Sequence, residues 1–377
     1  MNAQRPIRLL WLIDSLTVGG AENLVIPFER SIDRSRIELS ICCLATIGGN
    51  AIEEQLRTGG APLLNLAARS LRDAGAFRRL LRFVRQKQFD VIHAHLTYAA
   101  IWAAVISRIT GIPSVATLHV APPTSGRAAI RDRLMRLVLN RWSRRVVAVS
   151  DALRERYLEQ GGFDPEKVVT VYNGIEVGRF RGDANRQALR AEFDLPPESR
   201  VVVTVSVLRP GKGIDVLLSA ISSIVERVPD AYFLIVGDGP LKAEWEDLAR
   251  SSGVADRVRW AGYRRDVEAI LPGCDLFVLP SLEDAFPTVL LEAMAAGLPA
   301  VASATGGIPE IVTPDVTGLL VPPGSPEPLA AAISDLLLDP TRIARMRRCS
   351  QLMVEERFST KAWIGRLEQL YSESVAS

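Results

Sequence analysis

Glu283, Asp284 and Glu292 stand close together in the stretch DLFVLPSLEDAFPTVLLEAMAAGLPAVASATGGIPE, Asp275 to Glu310. Carboxylates accept hydrogen bonds from the hydroxyls of a sugar or a ribose. A helix is expected to open at Pro287, between Asp284 and Glu292. Its first backbone N–H groups have no intrahelical acceptor and form a natural seat for a phosphate. Phosphate and polyol recognised side by side is the chemistry of a nucleotide-sugar site. A second segment, SVLRPGKGIDVLL from Ser206 to Leu218, adds cationic groups. Lys212 would stand near a helix start as a point charge for a diphosphate, and Arg209 could make a forked contact with phosphate oxygens. A solvent-facing basic turn explains this segment equally well. The three histidines, His93, His95 and His119, lie at expected strand ends. His93 reads as a core-edge residue. His119 reads as a hydrogen-bond donor to a sugar hydroxyl.

These residues need elements to hold them. Short apolar runs rich in Val, Ile and Leu alternate with amphipathic segments of helical length. Expected strands are 7–13, 38–44, 61–66, 90–95, 113–119, 145–150 and 167–173, with helices at Ala21–Ser31, Gly75–Gln86, Ala99–Ile109 and Ala128–Trp142. The polar stretch 176–200 reads as a connection between domains. Strands then resume at 201–207, 231–237, 257–262, 275–280 and 299–303, and a last amphipathic helix covers Lys361 to Ser372. Runs of this type imply parallel sheets covered on both faces. The fold class is α/β, with the same doubly wound architecture occurring twice. The expected domains are 1–175 plus 358–377, and 176–357. Glycine-bearing strand ends recur at Gly19–Gly20, Gly237 and Gly262–Tyr263, where a ligand can approach the backbone closely.

At 377 residues, with 48% hydrophobic and 23% charged residues, the chain has the composition of a folded two-domain protein. Its net charge of +2 hides an asymmetry. Residues 1–175 hold 24 Lys/Arg against 15 Asp/Glu, and residues 176–377 hold 21 against 28, so the first half is expected to meet something anionic. The four cysteines form no C-x-x-C pair, which argues against a zinc knuckle or redox motif and for a reducing compartment. The N-terminal apolar run is too short for a signal peptide, and no run is long enough to span a bilayer. A cytoplasmic location, with membrane contact only at the surface, is the expectation. The first βα turn is not G-x-G-x-x-G, so a dinucleotide-binding dehydrogenase is disfavoured. No D-x-D pair occurs, and a divalent metal on a sugar diphosphate is not indicated.

The ordered set GGAE, HAHL, TLH, VYNGIE, LRPGKGID, IVGDGP, AGY, DAFPTVLLEAMAAGLPAVAS, GGIPEIV and GLLVPPG resembles that of retaining glycosyltransferases of family 4. The resemblance covers nearly the whole chain and is densest from Ser206 to Gly324. It implies the GT-B fold, two Rossmann-like domains facing across a cleft, with the last helix returning to the N-terminal domain. It implies transfer of a sugar from a nucleoside diphosphate with retained anomeric configuration, no metal and no cofactor. By the same resemblance Glu292 binds the donor ribose and Asp284 contacts the transferred sugar. Backbone N–H groups along the stretch Phe286, Pro287, Thr288 and Val289 hold sugar and phosphate. Lys212 neutralises the diphosphate, Gly20 approaches the donor, His119 touches the sugar, and Gly262 and Tyr263 line the base pocket with Gly237 on the same rim. Two positions depart from the family pattern. Asp284 stands where a longer Glu is usual, and Val207 stands where an Arg is usual. Arg209, two residues on, is expected to replace that arginine by sharing its strand face.

The expected donor is a UDP-sugar ahead of GDP-mannose, and the expected acceptor is a glycan or lipid-linked glycan in polysaccharide or glycolipid synthesis. A non-catalytic nucleotide-sugar-binding subunit of a polysaccharide assembly complex is the alternative, kept open by Asp284 and Val207. Two Arg-rich segments, 69–88 and 127–145, mix arginine with Leu, Phe, Ile and Trp at helical spacing. They read as core-packed helices with solvated basic faces, or else as a peripheral surface for an anionic membrane. Nucleic acid is a poor partner, because the arginines belong to no recognisable binding module.

Overall fold

The computed structural model describes residues 5–16, 19–45, 51–70, 73–182 and 185–376. The chain divides into two compact units, Met1–Gly174 with Thr360–Ser377, and Ile175–Ser359. In the first unit seven strands form one sheet: β1 (Ile7–Ser15), β2 (Ile37–Ala45), β3 (Leu63–Asn65), β4 (Val91–His95), β5 (Ser114–Leu118), β6 (Arg145–Ala148) and β7 (Val168–Thr170). Their order is β3-β2-β1-β4-β5-β6-β7, and all pairs are parallel. The second unit repeats the plan with β8 (Arg200–Val205), β9 (Ala231–Val236), β10 (Val258–Gly262), β11 (Leu276–Leu279), β12 (Ala300–Ser303) and β13 (Gly318–Val321), in the order β10-β9-β8-β11-β12-β13. Both are doubly wound sheets whose strand order reverses beside the first strand of the unit. Continuous apolar runs fit such sheets because helices cover both faces; in β1, Leu9 through Ile13 are all fully buried.

Several local features differ from the sequence expectation. The helix expected at Ala21–Ser31 is two pieces, Gly20–Asn23 and Val25–Ser31, joined at Leu24. Pro27 is the cause: it has no N–H for the carbonyl of Asn23, and its ring crowds that turn. A helix, Arg186–Glu192, occupies part of the stretch expected as a plain connection; the Asn185 side chain caps it by accepting from Ala188 N at 2.9 Å. β13 was not expected, since a four-residue strand beginning at Gly318 carries almost no periodic signal. The helices Ala51–Gly59 and Asp151–Glu159 also lie outside the expected set.

The chain leaves the second unit at Ser359, whose extended backbone ends the helix Pro340–Phe358. The last helix, Thr360–Ala376, then completes the core of the first unit with Trp363, Leu367, Leu370 and Tyr371. The Trp363 ring lies edge-on to Trp11 and Phe28, with centroids 6.4 and 5.7 Å away. Tyr371 Oη lies 2.6 Å from His93 Nδ1, and His93 Nε2 lies 2.7 Å from Thr117 Oγ1. His93 is therefore the satisfied core residue that its position suggested. Burial pushes it down to about 3, so it stays neutral. Tyr371→Phe is expected to strand one imidazole nitrogen and cost about 1–3 kcal/mol, lowering the thermal midpoint; an unchanged midpoint would show that the bond contributes nothing.

Candidate functional site

Ligands of doubly wound sheets collect at the carboxyl ends of the strands, where the order reverses. In the second unit that point lies between β8 and β11. The chain leaves β8 at Val205 and turns through Gly211–Gly213 into the helix Ile214–Arg227. Gly213 is the residue before this helix and has φ +67°. A Cβ on it would lie 1.9 Å from the carbonyl oxygen of Pro280, at the end of β11. Only glycine permits this approach. Leu282 N donates to Gly211 O at 2.8 Å, so the two loops are joined through their backbones. The consequence is an ion pair across the reversal point: Lys212 Nζ lies 2.6 Å from Asp284 Oδ2, with the side chains 16% and 15% exposed. The loop after β12 supports Asp284 from the other side. Gly307 N donates to Asp284 O at 3.1 Å, and Gly306, at φ +53°, again leaves no room for a Cβ. Gly213→Ala is expected to cost about 2 kcal/mol or more, because backbone must move to admit the methyl. A melting curve like that of the wild type would mean that the loops are not packed as described.

Phe286 is buried, its ring 5.7 Å from that of Phe358. Pro287 then precedes the helix Thr288–Ala295, which has no side-chain cap. Its first N–H groups point beyond the helix end and give this point of the unit a partial positive charge. Glu292 sits on the same helix, half-buried, and its carboxyl has no hydrogen-bond partner among the described residues. Burial pushes its carboxyl up to about 7; Arg179 opposes the rise and Glu268 adds to it. Those two residues pair with each other at 2.8 Å. The second unit thus holds Lys212 with Asp284 in one place and Glu292 with Arg179 and Glu268 in another. On the β9 and β10 side, Gly237 N donates to Gly262 O at 2.8 Å, and Tyr263 is 53% exposed.

Arg209 is exposed and has no ion-pair partner among the described residues. The strand face expected to join it to Val207 is absent, however. β8 ends at Val205, and Arg209 N approaches Val207 O at 2.9 Å in a tight turn. The two-residue periodicity of a strand does not apply there, so the side chains share no strand face.

In the first unit the reversal lies between β1 and β4. Gly20 opens its short helix with no atom within 4 Å of where a Cβ would be; residues 17–18 of the same turn lie outside the described residues. Asp14, at the end of β1, accepts from Tyr98 N at 3.1 Å and Ala99 N at 2.5 Å. It thereby caps the helix Thr97–Thr110, whose entry residue Leu96 has φ +72°. Burial pushes Asp14 up to about 6 against those two hydrogen bonds. His119 follows β5 directly. Its Nε2 lies 3.0 Å from His95 Nδ1, and burial pushes it down to about 4, so near neutral pH it acts as an uncharged donor or acceptor.

With this geometry in hand, comparison with known proteins is specific. The model described as glycosyltransferase family 4 matches residues 18–179, and that described as glycosyl transferases group 1 matches residues 185–352. The N-acetyl-alpha-D-glucosaminyl L-malate synthase of Bacillus anthracis is 30% identical over 79% of this chain and 78% of its own. The chain belongs to the group 1, family 4 glycosyltransferases. The D-inositol 3-phosphate glycosyltransferase of Segniliparus rotundus is 32% identical over 69% of this family member, which spans only 61% of that relative's length. Among solved structures, Anabaena Alr3699/HepE in complex with UDP superposes with a TM-score of 0.86 at 24% identity, covering 97% of this chain and 100% of that one. The likeness establishes the GT-B fold for this glycosyltransferase family member.

The sequence alone assigned no role to Asp14, His95 or Arg179. Asp14 lay in plain view in DSLTVGG, but its role as a cap comes from a helix far along the chain. His95 could have been found: residues two apart on a strand share a face, so His93 and His95 had to be neighbours. Their ring centroids are 4.2 Å apart. Arg179 was hidden in a stretch read as a linker.

Proposed function

We propose that this protein is a retaining, metal-independent hexosyltransferase. It moves a sugar from a nucleoside diphosphate sugar, UDP-sugars ahead of GDP-mannose, to a glycan or lipid-linked acceptor. The observation that carries the reading is the Lys212–Asp284 pair, set at the strand-order reversal beside the uncapped start of the Thr288–Ala295 helix. The UDP held by the structural neighbour supports the choice of base.

In this reading the diphosphate draws Lys212 from Asp284 and lies against the helix start. Asp284 is then free to accept from hydroxyls of the transferred sugar. Glu292 accepts from the ribose, with Gly237, Gly262 and Tyr263 lining the base, and neutral His119 is assigned to a sugar hydroxyl. As the sugar–phosphate bond breaks, negative charge grows on the diphosphate, where Lys212 and the helix dipole meet it without reorganisation. No side chain is assigned as nucleophile. The leaving phosphate oxygen takes the acceptor's proton on the face from which it departs, which retains configuration.

Arg209, exposed on the same loop as Lys212, is assigned a supplementary contact to phosphate. Arg209→Ala is then expected to weaken UDP binding by about fivefold to tenfold, the scale of one exposed charged hydrogen bond. Unchanged affinity by calorimetry would leave Val207 without a substitute. The deciding experiment for the function is a thermal-shift screen of UDP, GDP, ADP and their sugars, followed by turnover with the best binder. A selective nucleotide should raise the melting temperature by mass action. No shift with any of them refutes the site, and tight binding without transfer or donor hydrolysis favours a non-catalytic binding subunit.

A further inference from the structure

The two Arg-rich segments have different fates in the fold. In the helix Ala74–Lys87 the apolar residues Ala76, Leu80 and Val84 are buried, and the exposed residues include Arg78, Arg82 and Arg85. That helix is core-packed with a solvated basic face. The helix Gly126–Trp142 is built otherwise. Its inward side is already accounted for: Met135 and Leu139 are buried, and Arg136 pairs with Asp132 at 2.9 Å, while Tyr157 Oη donates to Asp132 at 3.3 Å. On the opposite side Ile130, Leu134 and Leu137 are 73%, 53% and 56% exposed.

Spacings of four and three residues place Ile130, Leu134 and Leu137 in one stripe along the helix. Arg127, Arg131, Arg133 and Arg141 are exposed around the stripe. Arg127, Arg133 and Arg141 make no ion pair among the described residues. Arg131 donates to Tyr98 Oη at 2.9 Å and lies over its ring. Asp132 is the helix's sole acid, and it faces inward. A soluble surface helix usually mixes both charge signs on its outer face, and it does not line up three bare aliphatic chains. An apolar stripe fringed by arginines of one sign fits the boundary of a bilayer. The aliphatic chains enter the acyl region while the guanidinium groups reach anionic headgroups.

We propose that the outer face of Gly126–Trp142 docks this protein on the surface of an anionic lipid bilayer. No helix among the described residues is long and apolar enough to cross a membrane, so the contact is peripheral. The docking suits the lipid-linked acceptor of the proposed function, but it is measured without donor or acceptor and can stand or fall separately.

The test is co-sedimentation of the full chain with vesicles of phosphatidylcholine, alone or containing phosphatidylglycerol. Partition onto the anionic vesicles is expected to be at least about tenfold stronger and to weaken as salt is raised. Ile130→Ser/Leu134→Ser/Leu137→Ser should remove most of the binding. Arg127→Glu/Arg133→Glu/Arg141→Glu should reduce it to the level seen with phosphatidylcholine. Arg78→Glu/Arg82→Glu/Arg85→Glu, on the other basic helix, should change it by less than about twofold. Wild-type melting curves by circular dichroism confirm that each variant folds, as expected for exposed positions. Absent or equal binding to both vesicle types overturns the proposal. So does retained binding by the serine variant, or light scattering that shows a wild-type dimer which the serine variant dissociates, since the stripe would then be a self-association surface.

Discussion

Replacing Lys212 with alanine is expected to lower kcat/KM by about 10²–10³, the usual loss when one preorganised donor to a developing anion is removed. Two effects add. In the proposed mechanism the diphosphate loses its point charge as the sugar departs. Asp284, which faces Lys212 at 2.6 Å and is only 15% exposed, loses its counter-ion. An unpaired carboxylate beside the phosphate seat then repels the donor in the ground state as well. Lys212→Ala should therefore raise KM and lower kcat together. Adding Asp284→Ala should restore part of the binding and little of the turnover, because in the proposed function Asp284 also contacts the sugar. A double-mutant cycle separates the two contributions. A kcat/KM for Lys212→Ala within about threefold of wild type would remove Lys212 from the transition state.

The second large effect concerns Glu292 and carries a pH signature. Burial holds its carboxyl up at about 7, against an ordinary 4.5. Below pH 7 the group is mostly protonated, and above it mostly ionised. In the proposed function the ionised form accepts hydrogen bonds from the ribose hydroxyls. UDP-sugar affinity should therefore rise with pH, by up to roughly tenfold per unit below pH 7, and level off above about pH 8. A nucleoside diphosphate sugar has no proton of its own to lose in this window, unlike free UDP, so the sugar nucleotide is the probe to use. The sign for stability is opposite. The folded protein holds the Glu292 proton more tightly than the unfolded chain, so this group's contribution is full below pH 4.5 and is lost as pH rises through 7. Glu292→Gln keeps the shape, removes the titration and should flatten the binding profile. Its affinity should fall by about tenfold to a hundredfold at pH 8, the scale of charge-assisted hydrogen bonds replaced by neutral ones. If the profile of Glu292→Gln still climbs between about pH 6 and pH 8, another group sets the dependence, and the ribose assignment fails.

Much of this protein was legible before any coordinates. Strands such as Ile7–Ser15 and Ala231–Val236 announce themselves because a parallel strand covered on both faces must be apolar throughout, and few other local structures need that. The glycines before Ile214 and after Ser303 marked their loops for the same kind of reason. A backbone that passes within 2 Å of a neighbour's would-be Cβ admits no other residue. Elements with weak local signals were not legible. β13 is four residues long, and Arg186–Glu192 is two turns in a polar stretch. The break at Leu24 could have been read from Pro27, which has no N–H to give the carbonyl four residues before it.

Residue order alone determined most strands of the two sheets, the helix start at Thr288 and the presence of Lys212, Asp284 and Glu292, because each follows from local periodicity or from chain neighbours. Which charges meet was decided only when the strands were ordered. Lys212 and Asp284 are 72 residues apart and become partners because β8 and β11 lie side by side. Tyr371 reaches His93 across 278 residues because the last helix returns to the first sheet. The burial that raises Glu292, and the exposure that distinguishes Gly126–Trp142 from Ala74–Lys87, likewise depend on what packs against each helix. Composition does not encode this: two segments equally rich in arginine and leucine became a core-packed helix and an outward-facing apolar stripe.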